Sequence, residues 1–168
     1  MASLRWDTSH AVFVTEIDDE HKEIFEAVSE IERMGSTQTS ILEVSKLSQR
    51  LIRRVGEHFA HEERLMRAAR YSALQWHKRQ HDHAKRRVQE FAARMELGDQ
   101  AAGFELVRYL HSWLFDHTCI ADRMMGAFLR NDRCMGKVTI RTSTKPTDAV
   151  SWTDSNGERF NPPRLRGN

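Results

Sequence analysis

The sequence is poor in residues that interrupt a helix, with three prolines and eight glycines among 168 residues. Long stretches carry neither, which favours an all-helical body. Two cysteines, Cys119 and Cys134, stand without any framework spacing, so a disulfide-stabilised scaffold is not indicated. No window approaches 18 uncharged apolar residues, which excludes a transmembrane helix. The first residues, Met-Ala-Ser-Leu-Arg-Trp-Asp, lack the apolar core of a secretory signal, and the protein is expected to be soluble and cytoplasmic. A strong charge of either sign is also missing. Residues 130–168 carry eight Lys/Arg against four Asp/Glu, a net +4, while the first 129 residues are net −2. A body so close to neutral implies no basic groove and no nucleic-acid partner. At 19.6 kDa the chain is long enough for one domain with a real core plus an appendage.

Four amphipathic segments make up that domain. Residues 1–16 lack helical periodicity and read as an N-terminal arm, with Trp6, Val12, Phe13 and Val14 available to pack it. Asp18 or Asp19 then looks like an N-cap region, followed by a stripe of Ile17, His21, Ile24, Val28 and Ile31 with Phe25 beside it. A second helix, from about Thr39 to about Arg70, carries Val44, Leu47, Leu51, Val55, His58, Glu62 and Leu65 on one face. A third, from about Ser72 to Leu97, carries Leu74, His77, His81, Ala84, Val88, Phe91 and Met95. A fourth, from about Ala101 to Leu129, carries Leu106, Leu110, Trp113, His117, Met124 and Phe128. Glu57 and Glu63 fall off the second stripe and are expected in solvent. Residues 131–168 read as an extended or partly disordered tail, with one strand-like alternation at Lys137–Thr142 and with Trp152 or Phe160 as anchors.

Polar residues interrupt these stripes at one depth. Four helices with short connections imply an up-down-up-down antiparallel four-helix bundle over residues 17–130. In that topology the start of the first helix, the end of the second, the start of the third and the end of the fourth meet at one end. His21, then His58 and Glu62, then His77 and His81, then His117 and Asp122 occupy those places on inward faces. A buried carboxylate without a partner costs several kcal/mol at least, so Glu62 requires a cation or strong donors. Asp122 is out of register. Its five-residue spacing from His117 is about 140° around a regular helix, against about 40° for four residues, so a π-bulge or a sideways reach is needed. Five imidazoles and two carboxylates exceed the coordination of one ion and suit two, with iron, manganese, zinc or copper favoured over calcium or magnesium. Five histidines divide as three and two, which leaves one metal short of a ligand.

The order His, His-x3-Glu, His-x3-His, His-x4-Asp resembles the hemerythrin family, especially its single-domain bacterial members. Asp-Asp-Glu-His at 18–21, His-Phe-Ala-His-Glu-Glu at 58–63 and Trp-Leu-Phe-Asp-His at 113–117 look like the family's local contexts. The likeness covers roughly residues 6–130. It implies a non-heme centre of two iron ions with an oxo or hydroxo bridge, which binds O2 reversibly and is not enzymatic. By that resemblance His77, His81 and His117 hold one iron and His21 and His58 the other, which takes O2, while Glu62 and Asp122 bridge. Phe25, Phe59, Trp113 and Leu114 are candidates for the O2-pocket lining. Thr118 departs from the aliphatic residue common at that place, which bears on pocket polarity. His10, His61, His83 and His111 read as non-ligands, with His61 at the surface or, as the alternative, supporting a ligand from behind. O2 storage, delivery or scavenging is the first functional expectation. The alternatives are an O2, NO or redox sensor acting through its tail on an unknown protein partner, and a di-iron peroxidase or oxidase.

Overall fold

A computed structural model describes residues 5–34, 41–134, 152–153 and 159–160. The helices run Thr15–Met34 (α1), Ile41–Ala68 (α2), Leu74–Glu96 (α3) and Ala102–His117 (α4). A π turn, Thr118–Asp122, then leads into α5, Arg123–Cys134, as a continuation of α4. Packing joins α1 to α2, α2 to α3, α3 to α4 and α4 back to α1, the closed ring of an antiparallel four-helix bundle. Beyond it, Trp152–Thr153 (β1) and Arg159–Phe160 (β2) pair antiparallel, with Trp152 opposite Phe160. The strand-like segment 137–142 lies outside the described residues. Among those residues no helix is long and apolar enough to cross a membrane.

The core divides into two apolar layers. One joins Ile24, Phe25, Val28 and Ile31 of α1 to Leu51, Val55 and Phe59 of α2, Ala84, Val88 and Phe91 of α3, and Leu106, Leu110 and Leu114 of α4. The other joins Val12, Val14 and Ile17 to Leu65, Met66, Ala69 and Tyr71, and to Met125 and Leu129 of α5. Each helix passes from one layer to the other through its histidines or carboxylates, so the polar residues form a stratum between them.

The N-terminal arm closes the second layer. After a 3-10 turn at Thr8–His10 it lies across α5, where Gly126 lets it in: a β-carbon there would sit 2.4 Å from the Val12 carbonyl oxygen. Arg130 donates to that carbonyl, and Arg123 donates to the carbonyl of Ser9. Asp18 is not the cap of α1, which starts at Thr15; its buried Oδ1 accepts from the Val12 N–H at 2.8 Å and ties the arm down. Val12 and Val14 are buried as expected, but Phe13 points outward, 63% exposed, with a left-handed φ of 58°.

The π turn also corrects the fourth stripe. Met124 is 52% exposed and Phe128 only partly buried, whereas Met125 and Leu129 are sealed in the core. One extra residue in the turn advances the helix phase, so the buried positions after His117 fall one residue later than an unbroken α-helix places them. Two chain reversals frame the bundle. Gly98, at φ 84°, ends α3, and the N–H of Asp99 bonds to the Arg94 carbonyl at 3.0 Å. Arg70, at φ 55°, ends α2, with the Tyr71 N–H bonded to the Met66 carbonyl at 2.9 Å.

Candidate metal centre

All seven sequence-singled residues, His21, His58, Glu62, His77, His81, His117 and Asp122, are buried and meet in one cluster. Register explains the convergence. His58 and Glu62, like His77 and His81, lie one turn apart on a helix face, and the α2–α3 reversal sets those faces against each other. The π turn swings Asp122 inward until Oδ1 is 3.1 Å from Nε2 of both His77 and His117, and Oδ2 is 3.2 Å from His21 Nε2. Of the two expectations for Asp122, the bulge is the one realised.

The donors fall into two overlapping sets, one of Glu62, His77, His81, His117 and Asp122, the other of His21, His58, Glu62 and Asp122. Each carboxylate divides between them. Glu62 Oε2 stands 3.1 Å from His81 Nε2 and 3.5 Å from His77 Nε2, while Oε1 stands 3.7 Å from His58 Nε2. Asp122 turns Oδ1 to the first set and Oδ2 to the second. Neighbouring imidazole nitrogens are 3.1 to 3.2 Å apart in the pairs His21–His58, His77–His81 and His77–His117. Donors about 2.1 Å from one ion at right angles are about 3.0 Å from each other, so these separations match edges of a coordination shell. All four carboxylate oxygens are buried without a hydrogen-bond partner, although imidazole nitrogens crowd them. Short distances without aligned N–H groups describe a donor set turned toward a shared cation, and the residues present fit two ions.

Electrostatics agree. Burial opposes the charged form of every group here. For His58 the Glu62 charge and the Glu20 hydrogen bond override it, raising the imidazole to about 9. For His77, Asp122 and Glu62 do the same, raising it to about 10. Glu62 and Asp122, which burial alone would push up, are held well below the ordinary carboxylate range by the imidazoles around them. His117 moves the other way, pushed down by burial. Two imidazolium charges thus balance two carboxylates when no metal cation does so.

A second ring of contacts orients the side chains of the cluster. His58 Nδ1 donates to Glu20 at 2.9 Å, and His81 Nδ1 reaches Glu63 at 3.4 Å. Glu63 is therefore not solvated, as its off-stripe position suggested; it is buried, with Lys85 at 3.2 Å and Arg67 at 2.9 Å. His61 is half-buried rather than a surface group, and its Nδ1 donates to Glu20 at 2.6 Å. His111 pairs with Glu32, His83 is exposed, and His10 is buried edge-on against Phe25 and Phe115. Of the expected pocket residues, Phe59 stacks on His81 at 4.0 Å, and Trp113 stacks on His117 at 4.1 Å. Phe25 and Leu114 are buried in the apolar layer above the ligands. Thr118 is buried too, and its hydroxyl donates to the Leu114 carbonyl at 2.8 Å, so its own donor is taken.

Comparison with known proteins places this arrangement. Residues 12–129 match the family model described as the hemerythrin HHE cation binding domain. Similar proteins include bacteriohemerythrin of Pseudomonas aeruginosa, 34% identical over 119 residues, which are 70% of this chain and 75% of the relative. Bacteriohemerythrin of Stenotrophomonas maltophilia is 31% identical over the same shares of both chains. Myohemerythrin of Sipunculus nudus is 30% identical over 67% of this chain and 82% of its own. The chain belongs to the hemerythrin family.

Proposed function

We propose that the protein binds O2 reversibly at a non-heme di-iron centre, in storage, delivery or scavenging rather than as an enzyme. The observation that carries this reading is the division of both buried carboxylates between a three-histidine and a two-histidine set. His77, His81 and His117 would hold one iron, His21 and His58 the other, and Glu62 and Asp122 would bridge. The chemistry a bound iron pair supplies is reversible two-electron exchange with O2.

The chain's own residues do the rest. Phe59 and Trp113 hold the His81 and His117 rings by stacking. Phe25, Leu114 and the rest of the apolar layer exclude water above the ligands, which limits irreversible oxidation. With three imidazoles on one side and two on the other, the iron held by His21 and His58 would be the one with room for O2.

The test is anaerobic loading with ferrous iron, then cycling between air and argon under visible spectroscopy. Two irons per chain and a charge-transfer band that rises with O2 and vanishes under argon over many cycles are expected. Irreversible conversion on first exposure, or turnover with peroxide, overturns the reading.

A further inference from the structure

His58 presents Nε2 to the carboxylates and Nδ1 to Glu20, a residue of α1. Glu20 is itself shared: Oε2 accepts from His58 at 2.9 Å and Oε1 accepts from His61 at 2.6 Å. His58 and His61 are three residues apart on α2, so one carboxylate spans a helical turn and fixes both rings. Its only ion-pair partners among the described residues are these two imidazoles. The group behind His81 differs. Glu63 has Lys85 and Arg67 beside it, so its charge is compensated before it reaches the ligand.

We propose that Glu20 and His61 are a positioning pair for the metal position held by His21 and His58. Glu20 fixes the His58 ring in the tautomer that leaves Nε2 free to ligate, and it lends that ring uncompensated negative charge. His61 holds the second oxygen of Glu20, so the carboxylate cannot rotate away from His58. The position that has one imidazole fewer thus has the stronger donor behind one of its two. Glu20, which accepts the hydrogen of His58 Nδ1, lies one residue from His21, so the same turn of α1 supplies a ligand and a support. This inference rests on the two-metal reading of the site.

The test is an anaerobic titration of the full chain with Co(II), followed by visible absorption, with His58→Ala and His81→Ala assigning the two uptake phases. Glu20→Gln keeps the shape and removes the charge. It is expected to weaken the phase lost in His58→Ala by roughly 10–100-fold, the usual range for a group supporting a ligand, and to spare the other phase. His61→Ala weakens that same phase by less. The iron-loaded Glu20→Gln chain is expected to have a higher reduction potential, because less negative charge favours the ferrous state; a merely structural role would not move it. Both phases unchanged, or both weakened alike, overturns the pairing and leaves the two-metal reading standing. Wild-type uptake of fewer than two Co(II) overturns both. Should Glu20→Gln fail to fold by circular dichroism, His61→Ala decides: an unweakened His58 phase overturns the proposal.

Discussion

The two halves of the buried cluster are built differently although they share two carboxylates. On the side of His77, His81 and His117, two rings are stacked under aromatics and the supporting carboxylate is neutralised by Lys85 and Arg67. On the side of His21 and His58 the rings meet each other edge-on, 4.6 Å between centroids, and the support comes from the partly exposed Glu20. The first half is braced by packing and the second by hydrogen bonds. Packing is insensitive to charge and tolerates no change of volume. A hydrogen-bonded carboxylate tolerates volume but transmits charge. Under the proposed function, the half that changes its coordination is the one whose support is electrostatic.

The largest expected effect breaks both halves at once. Glu62→Ala removes the oxygen each half draws from α2, and metal analysis should show both positions lost, beyond the roughly 10–100-fold cost of removing a supporting group. Next is Phe59→Ala, which empties a fully buried site and should cost about 3–5 kcal/mol in urea denaturation. Because Phe59 stacks on His81, it should weaken the three-histidine position more than the two-histidine one, and equal weakening would erase the distinction drawn above.

Protons probe the comparison without mutation. In the metal-free chain His58 stands at about 9 and His77 at about 10, one from each half. Both are charged at pH 7, so filling both positions should release about two protons per chain in a weakly buffered titration. Both values are raised, so the stability they confer is complete below the unfolded value of 6.5 and is lost as pH rises through about 9 and about 10. The metal-free melting temperature should therefore fall over that window, and the loaded chain, whose imidazoles carry no such proton, should not follow it. The smallest effect is a control. Arg70→Gly relieves a left-handed residue at the α2–α3 reversal and should stabilise by about 1 kcal/mol or less, with both metal affinities unchanged.

The residues of the buried cluster were legible because two periodicities agreed. His21, His58, Glu62, His77, His81 and His117 each break an apolar stripe, and an up-down-up-down topology brings all six, with Asp122, to one depth. Local spacing even offered the π turn, as one of two ways for Asp122 to meet His117. What spacing could not supply was anything set by contact between helices. Glu63 lies off its stripe yet is buried, because α3 brings Lys85 and His81 over it. His61 and Glu20 find each other across α1 and α2, and neither sequence neighbourhood mentions the other. Met124 was placed inward for a different reason. It falls inward only where α4 runs on as an unbroken α-helix, and the π turn moves the buried positions one residue later.

That turn behaves like a dislocation in a crystal. Above it the α4 lattice repeats in one phase, with Leu106, Leu110 and Leu114 inward; below it α5 repeats in another, with Met125 and Leu129 inward. The slip is confined to five residues that lie in the polar stratum, where no apolar layer has to absorb the mismatch. Straightening the turn into regular α-helix with all its residues kept would thus do more than displace Asp122. It would turn the whole of α5 by about 100° and present Met124 and Phe128 to a layer shaped for Met125 and Leu129. The arm would go with it, since Gly126 would no longer face Val12. The site and the lower core are bound to this one turn, and straightening it would cost both.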